Sequence, residues 1–152
     1  MASDTDVPEG FRPADLPSPF VVENGPLYWK DEGGNLVFGL RIEKRHTNAA
    51  DTAHGGLIMT LIDMQMNMAI NYQCQIERFI PTVSANVDFI SAAPLGSWME
   101  GRTEILRQGK RTVFTDCRIT LQDGTLVARG AGVFTIPREG QVGELILDDM
   151  FY

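Results

Sequence analysis

One carboxylate stands alone in a long apolar stretch of this chain. Residues 45–73 read RHTNAADTAHGGLIMTLIDMQMNMAINYQ, and Asp63 is the only charged side chain from Leu57 to Gln73. Charge in an apolar run is costly unless it is hydrogen-bonded or neutralised. Asp63 is therefore either structural, held by Asn67 or facing a wet seam between subunits, or it is reactive. Thr60, Asp63, Asn67 and Asn71 are spaced three, four and four apart, which places them on one stripe of a helix. Upstream stand His54, Gly55 and Gly56. Glycines at a helix start leave the first amides open to a close approach. Those amides lack intrahelical partners and sit at the positive end of the helix dipole. A carbonyl oxygen placed there is polarised, and charge developing on it is stabilised. Either Gly55 or Gly56 is the candidate donor. Asp63 lies seven or eight residues on, about 12 Å along the axis from Gly55, too far to serve the glycines of its own helix. A second copy lying antiparallel across a two-fold axis brings the two together, so the pattern predicts a site shared between subunits.

Other chemistries fit less well. No G-x-S-x-G elbow is present, and neither Cys74 nor Cys117 has a histidine nearby in sequence, which argues against a Ser or Cys nucleophile. Two histidines and two cysteines without ligand spacing argue against a metal site. His54 reads first as a residue that caps and orients the helix start, and His46 as a surface-loop residue. Met59, Met64, Met66 and Met68 read as core or pocket lining.

These groups must be positioned by a scaffold. The segment Gly55–Gln73 contains no proline and is rich in Leu, Met and Ala, which predicts a helix about 28 Å long, with Asp51 or Thr52 as candidate caps. It is apolar nearly all round, as a buried helix is. Before it, residues 26–30 and 35–43 flank the turn Asp31–Gly34 and predict a hairpin. Phe20–Glu23 begins the domain as a strand or short helix. After it, residues 80–92, 97–107, 111–121 and 125–136 are rich in β-branched and aromatic residues and are separated by turn formers, which predicts an antiparallel meander. One face of one sheet cannot bury such a helix alone. The expected architecture is α+β, a sheet curled around one helix with a partner subunit closing the rest. Proline-bearing residues 1–18 are expected to form a flexible or loosely docked N-terminal arm, residues 19–137 a single domain, and residues 138–152 an acidic extension.

The motif has a known counterpart. Asn48, the six-residue spacing to His54, the His54-Gly55-Gly56 triplet and the Leu61-Ile62-Asp63 end of HGGLIMTLID resemble the hotdog-fold acyl-CoA thioesterases, in the phenylacetyl-CoA thioesterase-like branch. The likeness extends through TVSANVDFISAAPLG and RQGKRTVFTDCRI to VARGAGVFTI, about residues 35–137. It implies the hotdog fold: a curved antiparallel sheet wrapped around one central helix, in dimers with a continuous sheet and often in homotetramers, dimers of dimers. It implies hydrolysis of a thioester to a carboxylate and free coenzyme A. Carried over, Asp63 is the nucleophile or the general base on water, the Gly55 amide polarises the carbonyl, and Asn48 positions water or the loop. Thr82 is the assisting hydroxyl on the next strand, with Ser84 the alternative. Coenzyme A contacts are implied at Gly109, Lys110, Arg111 and Thr112, and at Asp88, Phe89, Ile90 and Ser91. Coenzyme A enters as part of the substrate, so no separate cofactor is expected. The charges agree in kind: Arg102, Arg107, Lys110, Arg111 and Arg118 fall within 17 positions, and such side chains bind phosphates well. Two rivals are a non-catalytic acyl-CoA-binding module and an enoyl-CoA hydratase. The first needs neither glycines nor acid together. The second needs an Asp/His pair, whereas His54 here precedes the glycines and Asp63 follows.

Composition sets the outer bounds. The 152 residues suffice for one domain with a sizeable core, at 43% hydrophobic and 22% charged residues. A net charge of -7 argues against a nucleic-acid partner. The acid gathers at the ends, and outside residues 1–18 and 138–152 there remain 12 acids against 11 bases. No apolar run reaches membrane-spanning length, and no secretory pattern opens the chain. Two isolated cysteines fit a reducing cytoplasm.

Overall fold

The helix expected downstream of His54 forms as α2 in the computed structural model, which describes residues 6–151. In chain order the elements are β1 (Arg12–Pro13), α1 (Pro19–Asn24), β2 (Tyr28–Glu32), β3 (Asn35–Arg41), α2 (Gly55–Cys74), β4 (Thr82–Phe89), β5 (Trp98–Gln108), β6 (Thr112–Leu121), β7 (Leu126–Thr135) and α3 (Leu147–Phe151). The seven strands make one antiparallel sheet in the order β1-β2-β3-β5-β6-β7-β4, and α2 packs on β3 to β7. This is the curved sheet around a central helix that the sequence implied.

The helix meets the sheet along Ile58, Leu61, Ile62, Gln65, Met66 and Ala69, a stripe with helical spacing. These residues pack with Leu36, Phe38, Met99, Val113 and Phe134 to form the core. Close approach requires bare backbone on β7. A methyl group at Gly130 would lie 2.6 Å from Ile62, and one at Gly132 would lie 2.8 Å from Met66.

Two expectations are corrected. The four later strands are not a simple meander: β5, β6 and β7 follow one another, but β4 crosses to the far edge and pairs with β7. The physical reason is the connection from β4 to β5. It spans Ile90–Ser97, carries Pro94, and is stitched to the loop before α2 by Ala53 N–H on the Ala93 carbonyl at 2.8 Å. A tight hairpin cannot make that detour. His46 is not a surface-loop residue; it is buried at 3% exposure, with Nδ1 accepting from the Glu43 amide at 3.0 Å and Nε2 against the Asn24 carbonyl at 2.8 Å. Nδ1 must accept, so Nε2 carries the proton and donates. Its neighbour Arg45 holds the carbonyls of Glu23 and Gly25. Together they tie the end of α1 to the loop preceding α2.

The terminal segments lie against the body. Residues 1–5 fall outside the described residues. Within 6–18, Arg12–Pro13 pairs with β2, Phe11 packs edge-on against Trp98 at 5.1 Å, and Leu16 is buried. Phe20–Glu23 falls in the short helix α1. At the other end, α3 places Phe151 in an aromatic cluster with Trp29 at 5.1 Å and Tyr72 at 5.6 Å.

Gln65 is fully buried and acts as a surrogate strand. Its Oε1 accepts from the Phe38 amide and its Nε2 donates to the Leu36 carbonyl, both at 2.9 Å. Gly101 is bare where that side chain passes. Replacing Gln65 by Leu strands both backbone groups of β3, and each buried unsatisfied group costs about 1–3 kcal/mol. The Gln65→Leu protein is expected to lose about 2–4 kcal/mol in urea denaturation, and a midpoint equal to wild type would show that β3 does not depend on this side chain.

Candidate active site

The loop before α2 is built from its own side chains. The Asn48 carbonyl oxygen Oδ1 accepts from Ala50 N–H at 2.9 Å and Thr52 N–H at 3.3 Å, closing a turn. Asp51 occupies the left-handed region at φ 56° and pairs with Lys44. Asn48 thus holds the turn of this loop. The loop delivers His54 in an extended conformation, φ -62° and ψ 137°, as the N-cap of α2.

That cap decides between the two glycines. His54 Nδ1 accepts from Gly56 N–H at 2.9 Å, so the second glycine's amide is already engaged. Gly55 N–H has no hydrogen-bond partner among the described residues. The Phe89 ring lies over Gly55, 3.4 Å from where a methyl group would stand. The open donor at the helix start is therefore Gly55, walled on one side by the end of β4.

At the other end of the site is Asp63, partly buried and without a basic partner among the described residues. Thr82 donates its hydroxyl to Asp63 Oδ1 at 2.8 Å. The sequence left Thr82 and Ser84 as alternatives, and a β-bulge separates them. Ser84, Asn86 and Asp88 pair with Val133, Ala131 and Arg129, and Asp88 forms an ion pair with Arg129 at 2.9 Å on the outer face. Strict alternation would turn Thr82 outward with them. The register shifts between Thr82 and Ser84, and the extra residue reverses the parity, aiming Thr82 at the helix.

The rest of the polar stripe is committed elsewhere. Thr60 donates to the Gly56 carbonyl at 2.9 Å. Asn67 donates to the Ile80 carbonyl, and Asn71 to the carbonyls of Ile76 and Arg78 at 2.6 and 2.8 Å. These amides stitch down the connection that carries the chain to Thr82. Asn67 does not hold Asp63. Of the stripe, Asp63 is the one carboxylate, and only its Oδ1 has a hydrogen-bond partner among the described residues.

The expected coenzyme A contacts divide into two groups. Phe89 lies beside Gly55, Ile90 and Ser91 follow it with both amides on the Val127 carbonyl, and Asp88 faces the opposite side of the sheet and is engaged by Arg129. Gly109, Lys110, Arg111 and Thr112 form the β5–β6 turn, where Gly109 N–H bonds the Thr112 carbonyl at 2.8 Å. Thr112 pairs with Thr135, whose amide bonds the Pro81 carbonyl. The turn is thus two strand spacings, about 10 Å, from Thr82. Lys110 and Arg111 are exposed without ion pairs among the described residues. Arg102 is bound bidentately by Glu32, and Arg118 projects from the outer face, so the basic run is not one patch. Asp63, Thr82 and the basic turn thus lie toward one end of β4, and Gly55 with Phe89 toward the other.

Sequence reasoning did not find the bulge, nor the roles of His46 and Gln65. Residue type does not mark the two side chains, because their partners are backbone carbonyls and amides, and all but the Glu43 amide lie more than 20 residues away. Among the described residues there is no cluster of His, Cys, Asp and Glu able to hold a metal ion.

Comparison with known proteins supplies a context for this geometry. A family model described as the thioesterase superfamily matches residues 50–128. The chain is 36% identical over 132 residues, 86% of its length and 98% of the other's, to PA0474 of Pseudomonas aeruginosa, whose name assigns it provisionally to the esterases. It is 38% identical over 100 residues to human acyl-coenzyme A thioesterase 13, covering 64% of this chain and 69% of that one. The crystal structure of zebrafish thioesterase superfamily member 2 superposes with a TM-score of 0.71 at 28% identity, over 81% of this chain and 89% of that chain.

Gly55 is the first helical residue, and His54 already has the backbone that a following proline requires. Gly55→Pro removes the open N–H and nothing else in the bonding pattern. Its thermal stability is expected within about 1 kcal/mol of wild type. A much larger loss would mean that this amide has a structural partner.

Proposed function

The chain belongs to the thioesterase superfamily and its chemistry is thioester hydrolysis; from that premise we propose that it cleaves an acyl-coenzyme A to a carboxylic acid and coenzyme A at a site shared by two copies. The observation that carries this reading is the pairing of an uncommitted carboxylate oxygen on Asp63 with an uncommitted amide on Gly55, about 12 Å apart along one helix. Neither completes a site by itself.

The sheet edge supports the same arrangement. β4 is an edge strand with no strand beyond it among the described residues, and it exposes Val83 at 62% and Phe89 at 56%. Antiparallel pairing of β4 with its own copy sets Thr82 of one chain opposite Phe89 of the other. It thereby sets Asp63 against Gly55 of the second copy. Met59, midway between the two on α2 and 43% exposed, falls near the two-fold axis. Dimers of this kind continue the sheet, and a dimer of dimers is the fuller assembly proposed.

In this site the substrate carbonyl oxygen accepts from Gly55 N–H of one chain. Thr82 occupies Oδ1 of Asp63 in the other, which leaves Oδ2 for chemistry. That oxygen either attacks the carbonyl carbon, expelling the thiolate and leaving an anhydride that water then opens to the acid and the free carboxylate, or takes a proton from water as the water oxygen attacks. In the second route the new carbon–oxygen bond forms and charge gathers on the carbonyl oxygen, where the helix start stabilises it. The carbon–sulfur bond then breaks, and the thiolate takes up the proton collected by Asp63. Lys110 and Arg111 suit the phosphates of coenzyme A. Among the described residues no helix is long and apolar enough to cross a membrane, and both cysteines are free; the free thiols support a cytoplasmic setting.

Free-thiol release across an acyl-CoA panel tests the activity. Asp63→Asn and Gly55→Pro are each expected to lower kcat about a hundredfold to a thousandfold. Equal rates for wild type and Asp63→Asn would remove the carboxylate from the mechanism. Co-expressing the two variants regenerates one intact site in each mixed dimer, or about a quarter of wild-type activity. No recovery on co-expression would place the site within one protomer.

A further inference from the structure

The acyl group must leave the carbonyl carbon in some direction, and a cleft of about 570 Å³ has Asp63 and Thr82 on its lining. Resting on the thioesterase reading, we infer that this cleft takes the acyl chain, that the two terminal segments build one of its walls through Leu16 and Met150, and that it selects an uncharged chain over an anionic one.

The lining follows α2 from Thr60 through Met64 to Met68 and is completed by Phe79, Leu16 and Met150. Methionine side chains are flexible and fit apolar groups of varied shape. The lining carries no Lys, Arg or His, and Thr60, Asn67 and Thr82 already donate to the Gly56 carbonyl, the Ile80 carbonyl and Asp63. A carboxylate carried on the acyl chain would leave water without gaining a cationic partner there. A carboxylate would also lie in a cleft that holds Asp63.

The wall is built, not incidental. Asp15 N–H donates to the Met150 carbonyl at 3.3 Å, joining the two terminal segments beside the cleft. Phe151 anchors α3 in the cluster with Trp29 and Tyr72, which sets Met150 beside it. His46 and Arg45 fix the carbonyls at the end of α1, so the segment from Leu16 through Val21 is held at both ends. Leu16 and Met150 both lie outside residues 50–128, the part matched by the family model. Chain-length selectivity therefore resides in segments that the general family pattern does not describe.

The test is kinetic, on the full chain, with straight-chain acyl-CoAs from acetyl to palmitoyl and with succinyl-CoA beside butyryl-CoA. kcat/KM is expected to rise about fourfold per methylene over the shorter members, then to level off. Succinyl-CoA is expected to fall at least about tenfold below butyryl-CoA. Leu16→Trp should move the levelling point to shorter chains and Met150→Ala to longer ones. An unchanged profile in both variants, or succinyl-CoA turned over as well as butyryl-CoA, overturns the inference. Calorimetric binding of the same acyl-CoAs to Asp63→Asn protein, with and without Leu16→Trp, separates this from the thioesterase reading. No turnover by wild type with a chain-length shift in binding keeps the cleft assignment and rejects hydrolysis. Turnover with no shift in either measurement does the reverse.

Discussion

A side chain in the third turn of a helix cannot reach the amides of the first. That rise, about 12 Å between Gly55 and Asp63, is the constraint on which this structure turns. The helix dipole and the uncapped N–H make the start a place for an oxyanion. In the proposed site the two meet through two-fold symmetry, because reversing the helix exchanges start and third turn.

The sheet is arranged so that this reversal is available. Had the four later strands followed each other in a meander, β4 would lie in the interior of the sheet between β3 and β5. Its crossing to the far side of β7 leaves it at an edge, antiparallel to itself under two-fold rotation. The same strand ends at Thr82 on the Asp63 contact and at Phe89 over Gly55. One β-strand thus touches both groups, and the bulge near its start corrects the facing of Thr82. Asn67 and Asn71 complete this by fixing the connection from α2 to β4. Polar residues that looked like one functional stripe are divided: Asp63 meets Thr82, Thr60 bonds its own helix, and the two asparagines hold the connection into β4.

What was legible in the sequence follows the range of the interactions. The bounds of α2 come from local chemistry, from the loop formers before it and the uninterrupted helix formers within it. The ends of β5, β6 and β7 come from Gly-containing turns two to four residues long. Sheet order was not legible, since a strand's own pattern says which face is apolar but not which neighbour it takes. His46 was unreadable for a similar reason: its partners Asn24 and Glu43 are backbone groups, and any residue type provides those. Asp63 and the glycines stood out because they break a local rule, charge or bare backbone where an apolar helix needs neither. Thr82 followed from the family likeness, but the reason it rather than Ser84 faces Asp63 lies in a bulge that no residue type announces.

The two glycines are not equivalent, and the difference explains the histidine before them. A helix start with every amide open would bind water or a stray anion as readily as a carbonyl oxygen. His54 takes the Gly56 amide for itself, so a single donor remains exposed and its direction is set by the cap. The glycine at position 56 is bare for a structural reason, since a methyl group there would come within 3.1 Å of the histidine ring nitrogen. At position 55 the N–H stays open beneath Phe89, where the proposed site needs it. One residue of the triplet thus aims, one makes room for the aiming, and one keeps a free donor. This division of labour accounts for why histidine and two glycines occur together at the head of a helix whose only charge lies two turns further on.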